Sequence, residues 1–210
     1  MPRSNAMSKQ NKNLYCRLKE LTGAVHRDRS GAVLVEFSII TPVLILLLFG
    51  VVDFGQAMTI DRRLSTVANS MADLVARTDS ITGDELSDIR EIVKEIIKPF
   101  PLTDSQSNEK LGVLITSIAT DSDDVTEVKW TCASGANVSG SERPIGPYSS
   151  LPAGLADTNS SIIETVVRYE FTPTIGFLLG NYTIEKAAYF RPRVAIEVDN
   201  PGSECVASGS

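Results

Sequence analysis

An apolar run dominates the first quarter of the chain. Residues 32–52 have few polar interruptions, whereas both flanking regions are polar. As a helix, these 21 residues would span about 30 Å, the thickness of a bilayer's hydrocarbon core. The alternative, a cleaved secretory signal peptide, has a shorter apolar stretch and a small-residue cleavage site, but Asp53-Phe-Gly-Gln56 follows here. The pattern therefore predicts one retained transmembrane helix.

Helical periodicity continues beyond this run. Apolar residues recur at spacings of four and three, which predicts that the helix extends outside the membrane and packs along one face: Ile60, Leu64, Val67, Met71 and Leu74. Thr82 and Glu85 have the spacing of a capping box at the start of a second helix. This second helix is amphipathic, and Pro99 and Pro101 end it; its apolar face is Leu86, Ile89, Val93, Ile96 and Ile97.

After residue 110 the pattern changes to that of β-strands. Four segments qualify: Leu111–Ile118, Val125–Cys132, Ile162–Phe171 and Ile184–Val198. Alternation places Thr126, Val128, Trp130 and Cys132 on one face, and turns Ile163, Thr165, Val167, Tyr169 and Phe171 inward. Pro192 makes the last segment an edge strand, a bulged strand or two short strands, and Ser134–Ser161 is a long loop. Helices followed by strands predict an α+β fold with an antiparallel sheet of about four strands.

The distribution of charge predicts how the chain crosses the membrane. Residues 1–31 carry a net charge of +5, and the rest of the chain carries −11. Lys and Arg are retained on the cytoplasmic side, so we expect a cytoplasmic N-terminus and a C-terminal domain outside the inner membrane. An acidic outer domain argues against nucleic acid as a partner, because binding phosphate requires a positive surface.

Cysteine and histidine usage limits the chemistry of the outer domain. Cys132 and Cys205 follow the membrane segment, where the oxidising compartment favours a disulfide over two unpaired thiols, whereas Cys16 precedes it. The one histidine, His26, lies in the leader, so we expect neither a Ser-His-Asp site nor a zinc site. Asp121, Asp123 and Asp124 could bind calcium, but a solvated turn is the simpler interpretation. We expect no enzyme activity and no cofactor.

Glu36 is an acidic residue inside the apolar run. Such a group costs on the order of 3 kcal/mol in a membrane helix, so its presence requires an explanation. Glu36 either reaches back to the nearby interface or pairs within the bilayer. A free α-amine on an adjacent subunit would be a suitable partner, and cleavage after Gly31 would create one.

These residues carry a resemblance to a known family. The run from Gly31 to Pro42, with the later Gly50-Val-Val-Asp-Phe-Gly55, resembles the TadE/TadG-like proteins of the tight-adherence (Tad, Flp) pilus system, which are similar to type IV prepilins. A prepilin peptidase cuts such precursors after a glycine and leaves glutamate at the fifth mature position. The resemblance implies a pilin-like fold, cleavage between Gly31 and Ala32, and a pairing role for Glu36.

The sequence departs from this family pattern in two places. Its leader of 31 residues is long, and Asp53 stands where many relatives have Glu. Pro42 is either a kink shared with the family or a tolerated interruption of the helix.

The resulting hypothesis divides the chain into four segments. Residues 1–31 are a cytoplasmic leader whose cleavage stays open, 32–55 a transmembrane pilin-like helix, 56–101 a helical stalk, and 102–210 an extracytoplasmic β-rich domain. The function expected is that of a minor pseudopilin, with the inner membrane, a prepilin peptidase and other Tad pilus subunits as partners. The alternative is an uncleaved inner-membrane scaffold whose periplasmic domain binds other assembly components. An adhesin-like role would rest only on the Ser134–Ser161 loop.

Overall fold

The structure is a computed structural model that describes residues 29–136, 138, 142–152, 154, 155, 157–176, 179–199 and 205–207. Most of the predicted leader, with Cys16 and His26, lies outside the described residues. The chain divides into two compact units, Met1–Val51 and Val52–Ser210. The predicted α+β fold is confirmed, with a long apolar N-terminal helix, a second helix and an antiparallel sheet.

Helix α1 comprises Arg29–Val75 and contains the whole apolar run. In the first unit, the long side chains of this run are exposed, among them Leu34, Phe37 and Leu47. The helix is long and apolar enough over Gly31–Val75 to cross a membrane, and its most apolar stretch is not buried within the protein.

In the second unit, one face of α1 forms part of the core. Ile60, Leu64, Val67 and Met71 are fully buried, as the spacing predicts. Leu74 was expected to continue this stripe, but it is 38% exposed, and Val75 is buried instead. The expectation for Leu74 is wrong because a straight α-helix has 3.6 residues per turn, so its buried face drifts away from a strict 3.5-residue repeat.

Helix α2 comprises Gly83–Ile97 and has the predicted capping box. The Thr82 hydroxyl accepts the backbone N–H of Glu85, and the Glu85 carboxylate accepts the backbone N–H of Thr82. At the other end, Arg63 of α1 donates to the carbonyl oxygens of Ile96, at 2.9 Å, and Lys98. A cation at the C-terminus of a helix is favoured by the helix dipole, so Arg63 joins α1 to the end of α2.

Within the described residues, the sheet is antiparallel and has four long strands and two short ones. The strands are β1 (Leu111–Thr120), β2 (Thr126–Gly135), β3 (Gly146–Pro147), β4 (Ser160–Phe171), β5 (Tyr182–Phe190) and β6 (Val206–Ala207). The long strands lie in the order β2-β1-β4-β5, and β3 and β6 both pair with the outer edge of β2. The four long strands correspond to the predicted segments, whereas the two-residue strands are too short to show a periodic pattern.

The last predicted strand, Ile184–Val198, is partly wrong. Strand β5 is an edge strand, but it begins at Tyr182 and ends at Phe190, before Pro192. Val194 and Ile196 lie two residues apart, as on one face of a strand, yet both side chains are exposed. This segment instead follows the end of α1, where Arg193 donates its backbone N–H to Ala76 at 2.9 Å.

The predicted face of β2 is also wrong. Trp130 pairs with Ser117 and Val128 with Ile118, so Lys129 is an extra residue that forms a β-bulge. Ser117 and Ile118 point to opposite faces of the sheet, so the residues on either side of the bulge do too. Trp130 and Cys132 therefore lie on the core face, whereas Val128 and Thr126 lie on the other face. The Thr126 hydroxyl lies 3.0 Å from that of Thr120 on the other face.

The inner face of the sheet packs against the helices to form the main core. The five residues of β4 predicted to point inward are all buried. Two polar groups within this core have backbone partners: the Trp130 indole donates to Val198 at 2.8 Å, and the Tyr169 hydroxyl donates to Pro101 at 2.8 Å. These bonds fix both connecting segments against the core.

The outer face carries a polar row across four strands. Strand register places Thr131, Thr116, Glu164 and Tyr189 side by side on β2, β1, β4 and β5. Glu164 is almost completely buried, and Arg143 contacts it with two N–H groups at 2.9 and 2.8 Å. The Tyr189 hydroxyl also donates to Glu164, at 3.1 Å. Arg143 lies in a segment predicted as a loop, and no local sequence pattern predicts that it covers this face.

Removal of the Arg143 side chain tests how much its ion pair with Glu164 contributes to the stability of the fold. Arg143→Ala leaves the Glu164 carboxylate buried without its counter-ion, so we expect the free energy of unfolding to fall by about 3 kcal/mol. The measurement is urea unfolding of the full chain in detergent micelles, followed by Trp130 fluorescence. The control is Arg191→Ala, which breaks a solvent-exposed ion pair with Asp157 and should cost less than about 1 kcal/mol. Equal losses for the two variants would contradict the role of Arg143.

The raised pKa values of two tyrosines predict that the protein loses stability at high pH. Burial raises the pKa of Tyr169 to about 12. Burial, with the adjacent Glu164 carboxylate, raises the pKa of Tyr189 to about 12. Because an unfolded tyrosine has a pKa of about 10, folding favours the neutral form, and the stability that this provides is complete below pH 10 and lost between about pH 10 and 12. In the same unfolding assay, the double variant Tyr169→Phe/Tyr189→Phe should show a smaller loss over this range; an unchanged loss would contradict the assignment.

Candidate functional site

The residues predicted to function in processing lie in the first turns of α1. Gly31 and Ala32 follow the start of the helix at Arg29, and Glu36 comes one turn later. A Cβ added at Gly31 would have no atom within 4 Å, so packing within the described chain does not require glycine there. Glu36 is exposed on the helix, and within the part of the chain that the structure describes it has no ion pair or hydrogen bond through its side chain.

Pro42 lies within α1, and the helix continues through it. Proline has no N–H, so the Ser38 carbonyl loses its usual partner in the helix. The neighbouring Thr41 hydroxyl donates to the Phe37 carbonyl at 2.7 Å, and the Ser38 hydroxyl donates to Val35 at 2.8 Å. Local hydroxyl bonds of this kind satisfy polar groups within the helix itself, as a nonpolar environment requires. The predicted kink stays a prediction.

Asp53 is the site residue that the sequence analysis did not identify. It is fully buried, and its two carboxylate oxygens accept the backbone N–H groups of Ile175 and Gly176, each at 3.1 Å. One turn further along α1, Gln56 accepts a hydrogen bond at 2.8 Å from the hydroxyl of Thr174. The end of the apolar run is therefore tied to the connection between β4 and β5. An acidic residue directly after that run was the available signal, but backbone partners 122 and 123 residues away leave no trace in a sequence.

Cys132 and Cys205 are joined in a disulfide, with Cα atoms 4.5 Å apart. Cys132 belongs to β2, and β6 follows Cys205 directly and pairs with β2 through Trp130 and Thr131. Strand pairing and the disulfide thus hold the same C-terminal segment against the sheet.

The acidic cluster at the β1–β2 turn acts as a set of hydrogen-bond acceptors. Asp121 accepts the backbone N–H groups of Asp123 and Val125, both at 2.9 Å, and Asp124 accepts the Thr158 hydroxyl at 2.6 Å. Among the described residues, no group of three or more His, Cys, Asp or Glu side chains is arranged to hold a metal ion.

Comparison with protein families identifies the long helix. The family model described as TadE-like protein matches residues 31–73. The chain carries a TadE-like segment. This segment lies within α1 and contains Gly31, Glu36, Pro42 and Asp53, but no part of the sheet. The comparisons with curated proteins and with solved structures give no match.

Removal of the Asp53 carboxylate should weaken the second unit. Asp53→Ala leaves two backbone N–H groups without their charged acceptor, so we expect a loss of about 2–4 kcal/mol in the free energy of unfolding. Urea unfolding of the full chain in micelles provides the measurement. The matched control is Asp61→Ala, which removes a partly exposed ion pair to Lys186 on the same helix and should cost less than about 1 kcal/mol. A loss at Asp53 no larger than that at Asp61 would show that the carboxylate does not anchor the loop.

Proposed function

We propose that the protein is a minor pseudopilin-like component of tight-adherence pilus assembly, processed by a prepilin peptidase between Gly31 and Ala32. The observation that carries the proposal is Glu36, an exposed carboxylate without a partner in the described chain, within a helix whose neighbouring side chains are apolar. In a bilayer such a charge is costly unless it reaches the interface or pairs with a group of opposite sign. We infer that Glu36 pairs, and that its partner comes from another subunit.

Cleavage would produce the partner. A cut after Gly31 leaves the α-amine on Ala32, at the membrane surface and close to the depth of Glu36 in a neighbouring chain. Gly31 supports this role because neither packing nor an unusual backbone conformation in the described structure explains a glycine there.

The remainder of the chain then takes the four roles expected from the sequence. Residues 1–31 form the leader, 32–55 the membrane helix, 56–101 the stalk and 102–210 the periplasmic domain. The disulfide between Cys132 and Cys205 supports an oxidising location for the last segment. The positive leader and the acidic remainder support a cytoplasmic N-terminus. The protein acts by assembly with other pilus subunits rather than by catalysis.

The N-terminus of the protein tests this function. We expect the intact mass, in cells with an active prepilin peptidase, to be that of a chain beginning at Ala32, and the full-length mass in cells without the enzyme. Gly31→Leu should block cleavage because it places a bulky side chain at the scissile bond, whereas Gly55→Leu, also at an uncrowded glycine of α1, should not. Glu36→Ala should reduce co-purification with other pilus subunits by about tenfold, which corresponds to an ion pair worth about 1.4 kcal/mol.

A full-length chain despite active peptidase would refute the pseudopilin assignment. The protein would then be the alternative, a permanently anchored scaffold whose periplasmic domain binds other assembly components. Cleavage with no effect of Glu36→Ala on assembly would instead refute the pairing role alone.

A further inference from the structure

Several large apolar side chains are exposed in the second unit beside Asp53. Phe54 is 60% exposed, Met58 45%, Ile175 38% and Tyr182 41%. We call these four residues the junction patch. Phe54 and Met58 are one helical turn apart on α1, and with Tyr182 of β5 they line an open groove of about 400 Å³. An exposed cluster of this kind marks a surface that contacts something nonpolar.

The junction patch lies next to the end of the apolar run. At a rise of 1.5 Å per residue, Phe54 is about 3 Å and Met58 about 9 Å beyond Val52 along the helix axis. Ile175 lies at the same level, because its backbone N–H donates to Asp53 at 3.1 Å. The headgroup region on each side of a bilayer is about 5–8 Å thick. If α1 crosses the membrane, these residues are placed within or beside that layer.

The charges along the same groove begin further from the membrane. Asp61 and Arg62 line its far part, about 14–15 Å beyond Val52 along the helix. Glu185 lines the groove from β5, and Lys186 forms an ion pair of 2.8 Å with Asp61. The surface therefore changes from apolar and aromatic to charged in the direction that leads away from the apolar run. A membrane surface has this gradient of polarity, and aromatic side chains favour its boundary layer.

We propose that the junction patch binds the boundary between lipid headgroups and acyl chains of the membrane that α1 crosses, an inference that rests on the membrane anchor in the proposed function. Asp53 positions the patch, since its carboxylate holds Ile175 beside α1. The second unit then has two attachments to the membrane surface, the helix and the β4–β5 connection.

Tryptophan fluorescence in vesicles tests the contact. The full chain is reconstituted in phosphatidylcholine vesicles, with or without lipids brominated near the carbonyl end of the acyl chain, and each variant adds one tryptophan to the buried Trp130. Ile175→Trp and Tyr182→Trp probe the patch. Ile92→Trp, at an exposed apolar position on α2, is the matched control, and Leu47→Trp reports on the membrane helix itself. We expect about twofold more quenching at the two patch positions than at position 92.

The outcomes separate the patch from the anchor. Strong quenching of Leu47→Trp, with patch positions quenched no more than Ile92→Trp, would overturn the patch proposal and leave the anchor intact. An unquenched Leu47→Trp would overturn the anchor, and with it the patch and the proposed function. Tryptophan fluorescence at the patch could instead change with the density of protein in the vesicles and not with brominated lipid. That result would assign the surface to contact with a second copy of the protein and would also overturn the proposal.

A separate quenching experiment tests whether Asp53 positions the junction patch. Adding Asp53→Ala to Ile175→Trp should bring quenching at position 175 down to the level of the α2 control, while Leu47→Trp with the same substitution keeps its quenching. Far-ultraviolet circular dichroism verifies that both chains remain folded. Unchanged quenching at position 175 in a folded variant would show that Asp53 does not position the patch.

Discussion

The exposed apolar stretch of α1 is the constraint on which the other features depend. Its side chains from Val33 to Val52 are largely unburied by the rest of the chain. Water penalises such a surface by about 25 cal/mol for each Å² of apolar area, so the stretch requires a nonpolar environment. Given that environment, a lone carboxylate at Glu36 is costly unless it reaches the interface or pairs with another group.

The second unit shows how a folded domain is attached directly to such a helix. The same α1 that supplies Ile60, Leu64 and Met71 to the core also supplies Asp53, whose carboxylate binds the β4–β5 connection. The core fixes one face of the helix against the sheet, and Asp53 holds the β4–β5 connection against the same helix. The TadE-like match ends at residue 73, shortly before α1 does, so it includes neither α2 nor the sheet.

Sequence reasoning succeeded where a repeating pattern extends over many residues and failed where one residue changes the pattern. The apolar run, the capping box at Thr82 and the inward face of β4 all follow from periodicity or local spacing. Lys129, by contrast, reverses the faces of β2 as a single inserted residue, and Val75 replaces Leu74 through a small drift in helical phase. The Asp53 and Arg143 contacts join residues far apart in the chain, where local sequence carries no record of the partner.

In the proposed topology, α1 anchors the chain in the inner membrane and the sheet lies on the periplasmic side. Protease protection of a full-length chain with an epitope tag after Ser210 tests this topology most directly. We expect the tag to be protected in intact cells and removed when the outer membrane is opened, and we expect alkaline carbonate not to extract the protein from membranes. A tag that stays protected until the inner membrane is lysed, or a chain released by carbonate, would contradict this topology.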